Sequence, residues 1–384
     1  MLGPNTALIE YFVGIENCYA FSLTKEQIKV HQWPKSKQFE QNISEIRNFI
    51  SQPPFQNTST DARDDFIRNS SNLNQQIMAP ILAALPPSVS ELVIVPDDIL
   101  NYIPFGVLIT KPSSDPLEYL IKHYAISYNY SANLWLHFSK ASPSNHTLPF
   151  LGIAPNFSKN VVQSDRACIG GEIYALKCNK TEIENINQLM GGQTLYDQQA
   201  NQQQFEALAG TSKILHLATH ACSDEEEALN KIFFSDDFIL GTDLNKLKLG
   251  NDLVVLSACN TGSGKLQKGE GVLSLSRGFI LAGCSSTLTS MWSVDDCTTS
   301  EVMVDFYQNL LVGNSKNKAL QQTKINHLAK ADQVLSHPYY WAAFVQSGNP
   351  DPIQQSSGMD FWKTLFMTFA ALLIAMFAWQ NFSS

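Results

Sequence analysis

The chain has 384 residues, 44% hydrophobic and 16% charged, a size that asks for two packed lobes or one large α/β domain. Its formal net charge of −9 argues against a direct nucleic-acid binder, because phosphate backbones are held by clustered Lys and Arg that are missing here. Seven cysteines, odd in number and without a CxxC pair, argue against a disulfide framework and against structural zinc; reduced thiols in a cytosolic setting, with no metal and no cofactor, are expected.

The N-terminal stretch MLGPNTALIEYFVG carries Glu10 and no basic region, so it does not read as a signal peptide. From Ala7 to Trp33, apolar and β-branched runs broken at 14–17 and 24–27 predict an antiparallel meander. A strand so near Met1 suggests a fragment of a longer chain. Helical stretches follow near 36–51 and 61–84, separated by SQPPFQNTST. ELVIVPDDILNYIPFGVLI supplies a buried strand, a turn and a second apolar segment, and HYAISYNYSANLWLHF a strand leading into a short helix. The Ser- and Pro-rich SKASPSNHTLP, 139–149, marks a lobe boundary, which divides the chain into 1–147 and 148–350.

The second lobe alternates strands and helices: PFLGIAP, KILHLAT, NDLVVLSAC and SSTLTSMW as strands, with LKCNKTEIENINQLMGG, NQQQFEALAGTS, EGVLSLSRGFILAGC and DDCTTSEVMVDFYQNLLVG as helices. Such alternation predicts a mainly parallel sheet with right-handed crossovers and helices on both faces. No internal repeat is evident. A linker, 351–360, leads to 361–380, whose FWKTLFMTFAALLIAMFAW carries one charge, Lys363. A helix from Trp362 to Trp379 would rise about 25 Å, close to hydrocarbon-core thickness with an indole at each interface, so a single-pass transmembrane tail anchor with a cytoplasmic body is expected.

In a parallel α/β sheet, ligands sit beyond the carboxyl ends of the strands. KILHLATH and DLVVLSAC each end on a reactive residue, and adjacent strands would bring His220 and Cys259 face to face. A thiol is mostly protonated at neutral pH, and an imidazole can serve it as both proton acceptor and proton donor. The NTGSG after Cys259 lets a substrate backbone approach, and an oxyanion would be held by the backbone N–H groups of Cys259 and Ala221.

ILHLATHA, VVLSACNTGSGKLQKGEGVLSLSRGFILAG, MWSVDDCTT and HPYYWAAFVQSG together resemble the CHAT family of caspase-like, separase-related cysteine proteases, and LVIVPDDILNYIPFGVL and YAISYNYSA fit its first half. The resemblance spans roughly residues 5–350. It implies a caspase–hemoglobinase-like fold with an N-terminal pseudo-caspase-like lobe. It also implies a Cys259–His220 dyad that cleaves a protein or peptide substrate in a signalling or defence pathway, and an association with a tetratricopeptide-repeat region or regulator. Ala221 departs from the Gly usual after the histidine, which bears on the oxyanion geometry.

Other residues carry competing readings. Asp295 and Asp296 cap a helix or line a pocket for a basic side chain, as separase-like relatives use acid. Trp292 and Ser290 would wall a groove where substrate pairs as an added strand. Glu270 orients the nucleophile loop or caps a helix. His216 and His337 read as packed histidines, Cys222 as a thiol facing the His220 side, and the acidic SDEEEALNK as solvated surface or a moving part. GSGK, 262–265, is not a phosphate loop, because Cys259 stands where one needs Gly and Leu266 where it needs Ser or Thr. The competing functions are a catalytically silent scaffold with the same groove and an acyltransferase using the same dyad.

Overall fold

The computed structural model describes residues 2–54, 60–138, 146–157, 175–222, 230–258, 265–267 and 271–353. Among these, the chain opens with β1 (Thr6–Val13), β2 (Asn17–Leu23) and β3 (Ile28–Pro34), paired antiparallel in sequence order, as the alternating apolar pattern predicts. Helices α1 (Lys37–Ser51) and α2 (Thr60–Ile77) cover one face of this meander. The hydroxyl of Ser36 caps α1 by accepting from the Phe39 N–H, and Phe39, Ile43, Ile46 and Ile50 recur at helical spacing to meet Ile9 and Tyr11 in the first core. Phe49 stacks on Phe66 of α2 with ring centroids 4.6 Å apart.

The next strands are β4 (Glu91–Val95), β5 (Ala125–Tyr128), β6 (Leu148–Ala154), β7 (Gln193–Tyr196), β8 (Ser212–Ala218), β9 (Leu253–Ser257), β10 (Ser286–Ser290) and β11 (Phe344–Gly348). One sheet of eleven strands runs β3-β2-β1-β4-β5-β11-β10-β9-β8-β6-β7. The two expected lobes therefore share a continuous sheet, joined where Ser347 of β11 pairs in parallel with Tyr128 of β5. From β10 to β7 every pairing is parallel, and β11 runs antiparallel to β10. Strands β8 and β9 are buried along nearly their whole length, as befits parallel strands covered on both faces.

The covering helices of this half are α3 (Asn179–Met190), α4 (Gln202–Leu208), α5 (Leu275–Leu281) and α6 (Asp296–Leu311), and α7 (Lys316–Lys330) packs beside α6 against β5 and β11. Helix α5 is shorter than the pattern suggests. Ser274 is extended and caps it through the Arg277 N–H, while Gly271–Leu273 pairs antiparallel with Lys265–Gln267. Helix α7, the strand β7 and a small antiparallel sheet of Ala221–Cys222, Lys231–Phe233 and Phe238–Leu240 escape the sequence reading. The expectation of reduced thiols is corrected: Cys178 is bonded to Cys297, Cys222 is also disulfide-bonded, and Cys18 and Cys284 are free and buried. No helix of the described residues is long and apolar enough to cross a membrane, and the segment 361–380 lies outside them.

Helix α7 buries two lysines that no periodicity flags as core. Lys324 Nζ donates to the Phe344 carbonyl at 2.7 Å and Lys316 Nζ to the Asn349 carbonyl at 3.1 Å. Burial pushes Lys324 down to about 7 and Lys316 down to about 8, in the second case against the pull of Asp252 and Asp351. The unfolded chain keeps both protonated to its ordinary lysine range, so from about pH 7 upward it binds protons that the folded chain does not, and stability rises with pH. We expect denaturant midpoints to climb between pH 7 and 9, by roughly 1 kcal/mol per pH unit, and Lys324→Met to flatten most of that climb. An equal slope in parent and variant would refute this account.

Candidate active site

Strands β8 and β9 lie side by side in parallel with Ala218 paired to Ser257. His220 stands two residues past that last rung, half-exposed, at the carboxyl edge of the sheet. Its backbone is held from beyond: the Phe233 N–H donates to the His220 carbonyl at 3.0 Å, and the Thr219 hydroxyl donates to the Phe233 carbonyl at 2.6 Å. The Phe157 ring lies against the imidazole, centroids 4.9 Å apart, on the chain that leaves β6. Cys259 and Glu270 lie outside the described residues, as do 223–229 of the acidic loop. Ala258 directly follows the last residue of β9. It is buried, and its carbonyl accepts from the Ser290 hydroxyl at 2.6 Å.

Ala221 continues in extended backbone, paired with Ile232. Among the described residues the non-glycine positions with positive φ are Asp98 and Asp197, so the backbone at Ala221 is one that a β-carbon tolerates.

Ser290 and Trp292, expected along an open groove, are both buried. Besides the Ser290 bond to Ala258, the Trp292 indole N–H donates to the Tyr339 carbonyl at 3.1 Å and its ring packs in the first core. Ser293, Asp295 and Cys297 are the exposed residues of this segment, and the two acids hold helix-end N–H groups. Asp295 caps α6 by accepting from the Thr298 N–H at 2.8 Å, and Asp296 accepts from the Cys178 N–H at 2.7 Å. Asp295 is exposed and Asp296 half-buried. Helix α3 begins at the same edge: Asn179 Nδ2 donates to the carbonyls of Pro155, at 2.9 Å, and Ala218, at 3.2 Å, tying the helix to the ends of β6 and β8.

The disulfide between Cys178 and Cys297, with Cα atoms 5.1 Å apart, joins the N-terminus of α3 to that of α6. Cys178, Asp296 and Cys297 present ligand-type atoms within 4.8 Å of one another, but both sulfurs are spent in the disulfide and cannot ligate a cation. Cys222, read as a thiol facing the histidine, is buried and disulfide-bonded.

His216, one helical-looking step before His220 in sequence but two strand repeats away in β8, is fully buried between α3 and α6. Its Nε2 lies 2.8 Å from Glu182 Oε1 and its Nδ1 lies 2.9 Å from the Tyr307 hydroxyl. Gly152, opposite His216 on β6, makes this possible, since a β-carbon there would stand 2.6 Å from Ile183 Cγ2 and hold α3 off the sheet. His337 is partly satisfied: it caps a short helix by accepting from the Tyr339 N–H, its ring lies 4.4 Å from that of Phe49, and its Nε2 has no partner among the described residues. Burial pushes it down to about 4.

A CHAT domain family model matches residues 68–349. Tetratricopeptide repeat protein 28 of Homo sapiens is 28% identical over 121 residues, and that of Mus musculus 27% identical over the same length. Each alignment covers 32% of this chain and 5% of the relative, so the chain spans a small part of the curated relatives it matches. Among solved structures, the separase–securin complex of Saccharomyces cerevisiae aligns over 90% of this chain and 30% of that chain, with a TM-score of 0.56 and 10% identity, a likeness of fold.

Proposed function

Because the chain belongs to the CHAT domain family, we propose that it is a caspase-like cysteine endopeptidase in which Cys259 is the nucleophile and His220 its proton acceptor and donor. The observation that carries this reading is the register of the two strands. Ala218 and Ser257 share a rung, and His220 and Cys259 follow at the same offset, two residues on, from neighbouring parallel strands.

In the proposed reaction, the Cys259 thiol gives its proton to His220 and the sulfur attacks the scissile carbonyl. The oxyanion is met by the backbone N–H groups of Cys259 and Ala221. The imidazolium returns the proton to the leaving amine, and a water activated by the same imidazole releases the acyl group. Asp295 and Asp296 would receive a basic side chain ahead of the scissile bond. Their support is placement: they are the acids exposed or half-exposed at the start of α6, following the strand adjacent to β9.

The substrate is proposed to be a partner protein in a signalling or defence pathway, and a tetratricopeptide-repeat region, as in the named relatives, a candidate regulator. The apolar run 361–379 supports a membrane tether with a cytoplasmic catalytic body. Labelling of the full chain with a peptidyl acyloxymethyl ketone tests the core of the reading. Selective modification of Cys259, mapped by mass spectrometry, is expected; slow, equal modification of the accessible thiols would refute it.

A further inference from the structure

The Cys178–Cys297 disulfide lies where the two helices flanking the candidate site begin. Cys178 is the residue before α3, and Cys297 the second residue of α6. Between them sits Asp296, whose carboxylate accepts the Cys178 N–H at 2.7 Å while its own successor carries the bonded sulfur. The backbone that orients the carboxylate is thus covalently joined to the residue next to it. From there the linkage continues to the catalytic edge, since Asn179 holds the carbonyl of Ala218, two residues before His220. Asp295, by contrast, is engaged with its own helix through Thr298.

We propose that this disulfide is a redox-sensitive positioning device that fixes Asp296 toward the side chain of the substrate, so that its reduction relaxes selectivity for a basic residue. The proposal rests on the proteolytic reading above. Cys297 is exposed and Cys178 half-buried, so a soluble thiol can reach the bond. A dithiol reductant supplies the balance. One of its thiolates attacks a cystine sulfur and forms a mixed disulfide, and its second thiolate closes on the first. Two electrons pass to Cys178 and Cys297, which take up two protons, and the reductant leaves as its own disulfide. What is lost is the crosslink between two helix starts separated by 119 residues of chain. The N–H of Cys178 and the carboxylate of Asp296 then move with two independent helix ends, and a small misplacement of a binding group is costly.

The test uses the full chain and two acyloxymethyl ketone probes, one presenting arginine and one norleucine next to the electrophile, with the rate of Cys259 labelling measured for each. The oxidised parent is expected to favour the arginine probe. In Cys178→Ser/Cys297→Ser the arginine-to-norleucine ratio should fall about tenfold, toward the ratio of Asp296→Asn. A dithiol should lower the ratio in the parent and leave it unchanged in the double variant, which separates this bond from the one at Cys222. Because both probes report on one nucleophile, a general loss of folded protein cancels in the ratio. Should the double variant fail to fold, the dithiol-treated parent against the oxidised parent gives the comparison, with alkylation and mass spectrometry after partial reduction identifying which of the two bonds has opened. A ratio in the double variant or the reduced parent equal to that of the oxidised parent overturns this inference alone; Cys259 labelled by neither probe overturns it together with the proteolytic reading.

Discussion

His220→Ala is expected to slow cleavage of a peptide bond by about 10³-fold, and Cys259→Ala to reduce it to background. The reasoning is positional. His220 is half-exposed beyond the last rung of β8, its ring touches Phe157 at the surface of a small cluster, and its backbone carbonyl, not its side chain, carries the bond to Phe233. Truncating the imidazole gives up its contact with the Phe157 ring. It removes two chemical services: proton removal from the thiol, and proton delivery to the departing amine. A free thiol retains a few per cent thiolate near pH 7, so the first loss is partial, whereas an amine cannot leave unprotonated. The variant should consequently retain far more activity on an activated thioester, whose leaving group needs no proton, than on an amide. Measured on both substrates, an equal loss would point to a disturbed site rather than a missing acid, and undiminished amide cleavage would remove His220 from the mechanism.

The two strands that frame the candidate site could be read from the sequence because the signals that mark them are local. Each of KILHLATH and NDLVVLSAC is a short apolar run ending on a reactive residue, and the parallel pairing of such runs follows from their alternation with helices. The antiparallel start is equally legible, since alternation in β1 and β2 and the breaks at 14–17 and 24–27 are properties of adjacent residues. What was hidden depends on residues far apart. Cys178 and Cys297 stand 119 residues apart, and no spacing rule pairs them until α3 and α6 are packed side by side. Ser290 and Trp292 alternate as a groove wall should, yet the helix starting at Pro338 and the end of β9 cover them, a fact set by β11 returning beside β10. Helix α7 was obscured by Lys316 and Lys324, whose charge marks them as surface until the carbonyls of Phe344 and Asn349 receive them. The continuity of the sheet across the expected lobe boundary rests on one parallel contact between β5 and β11, which a composition break at 139–149 cannot foresee.

The largest stability effect is expected from His216, through which the sheet grips both flanking helices. A single ring proton accounts for its bonds: Nε2–H donates to the Glu182 carboxylate, and the Tyr307 O–H donates to Nδ1. Burial, reinforced by Glu182, raises Tyr307 well above its ordinary value and so keeps the phenol in the donor form this scheme requires. His216 and Glu182 are at most 1% exposed, and the second carboxylate oxygen of Glu182 has no partner among the described residues. His216→Leu would strip that carboxylate of its donor inside a closed interface, and leave the Tyr307 hydroxyl without its acceptor. The expected cost is about 3–5 kcal/mol, read as a shift of denaturant midpoint, or a fall in melting temperature on the order of 5 °C for a chain of this size. Glu182→Leu added to His216→Leu removes the stranded charge as well, and the pair should recover at least half of the loss. The cycle decides between two accounts of the same residue. Recovery identifies an electrostatic debt confined to the buried bond, whereas strictly additive losses would mean that His216 contributes by packing against Phe150 and Tyr307, whose rings also meet it, and that the hydrogen-bonded network carries no coupling of its own.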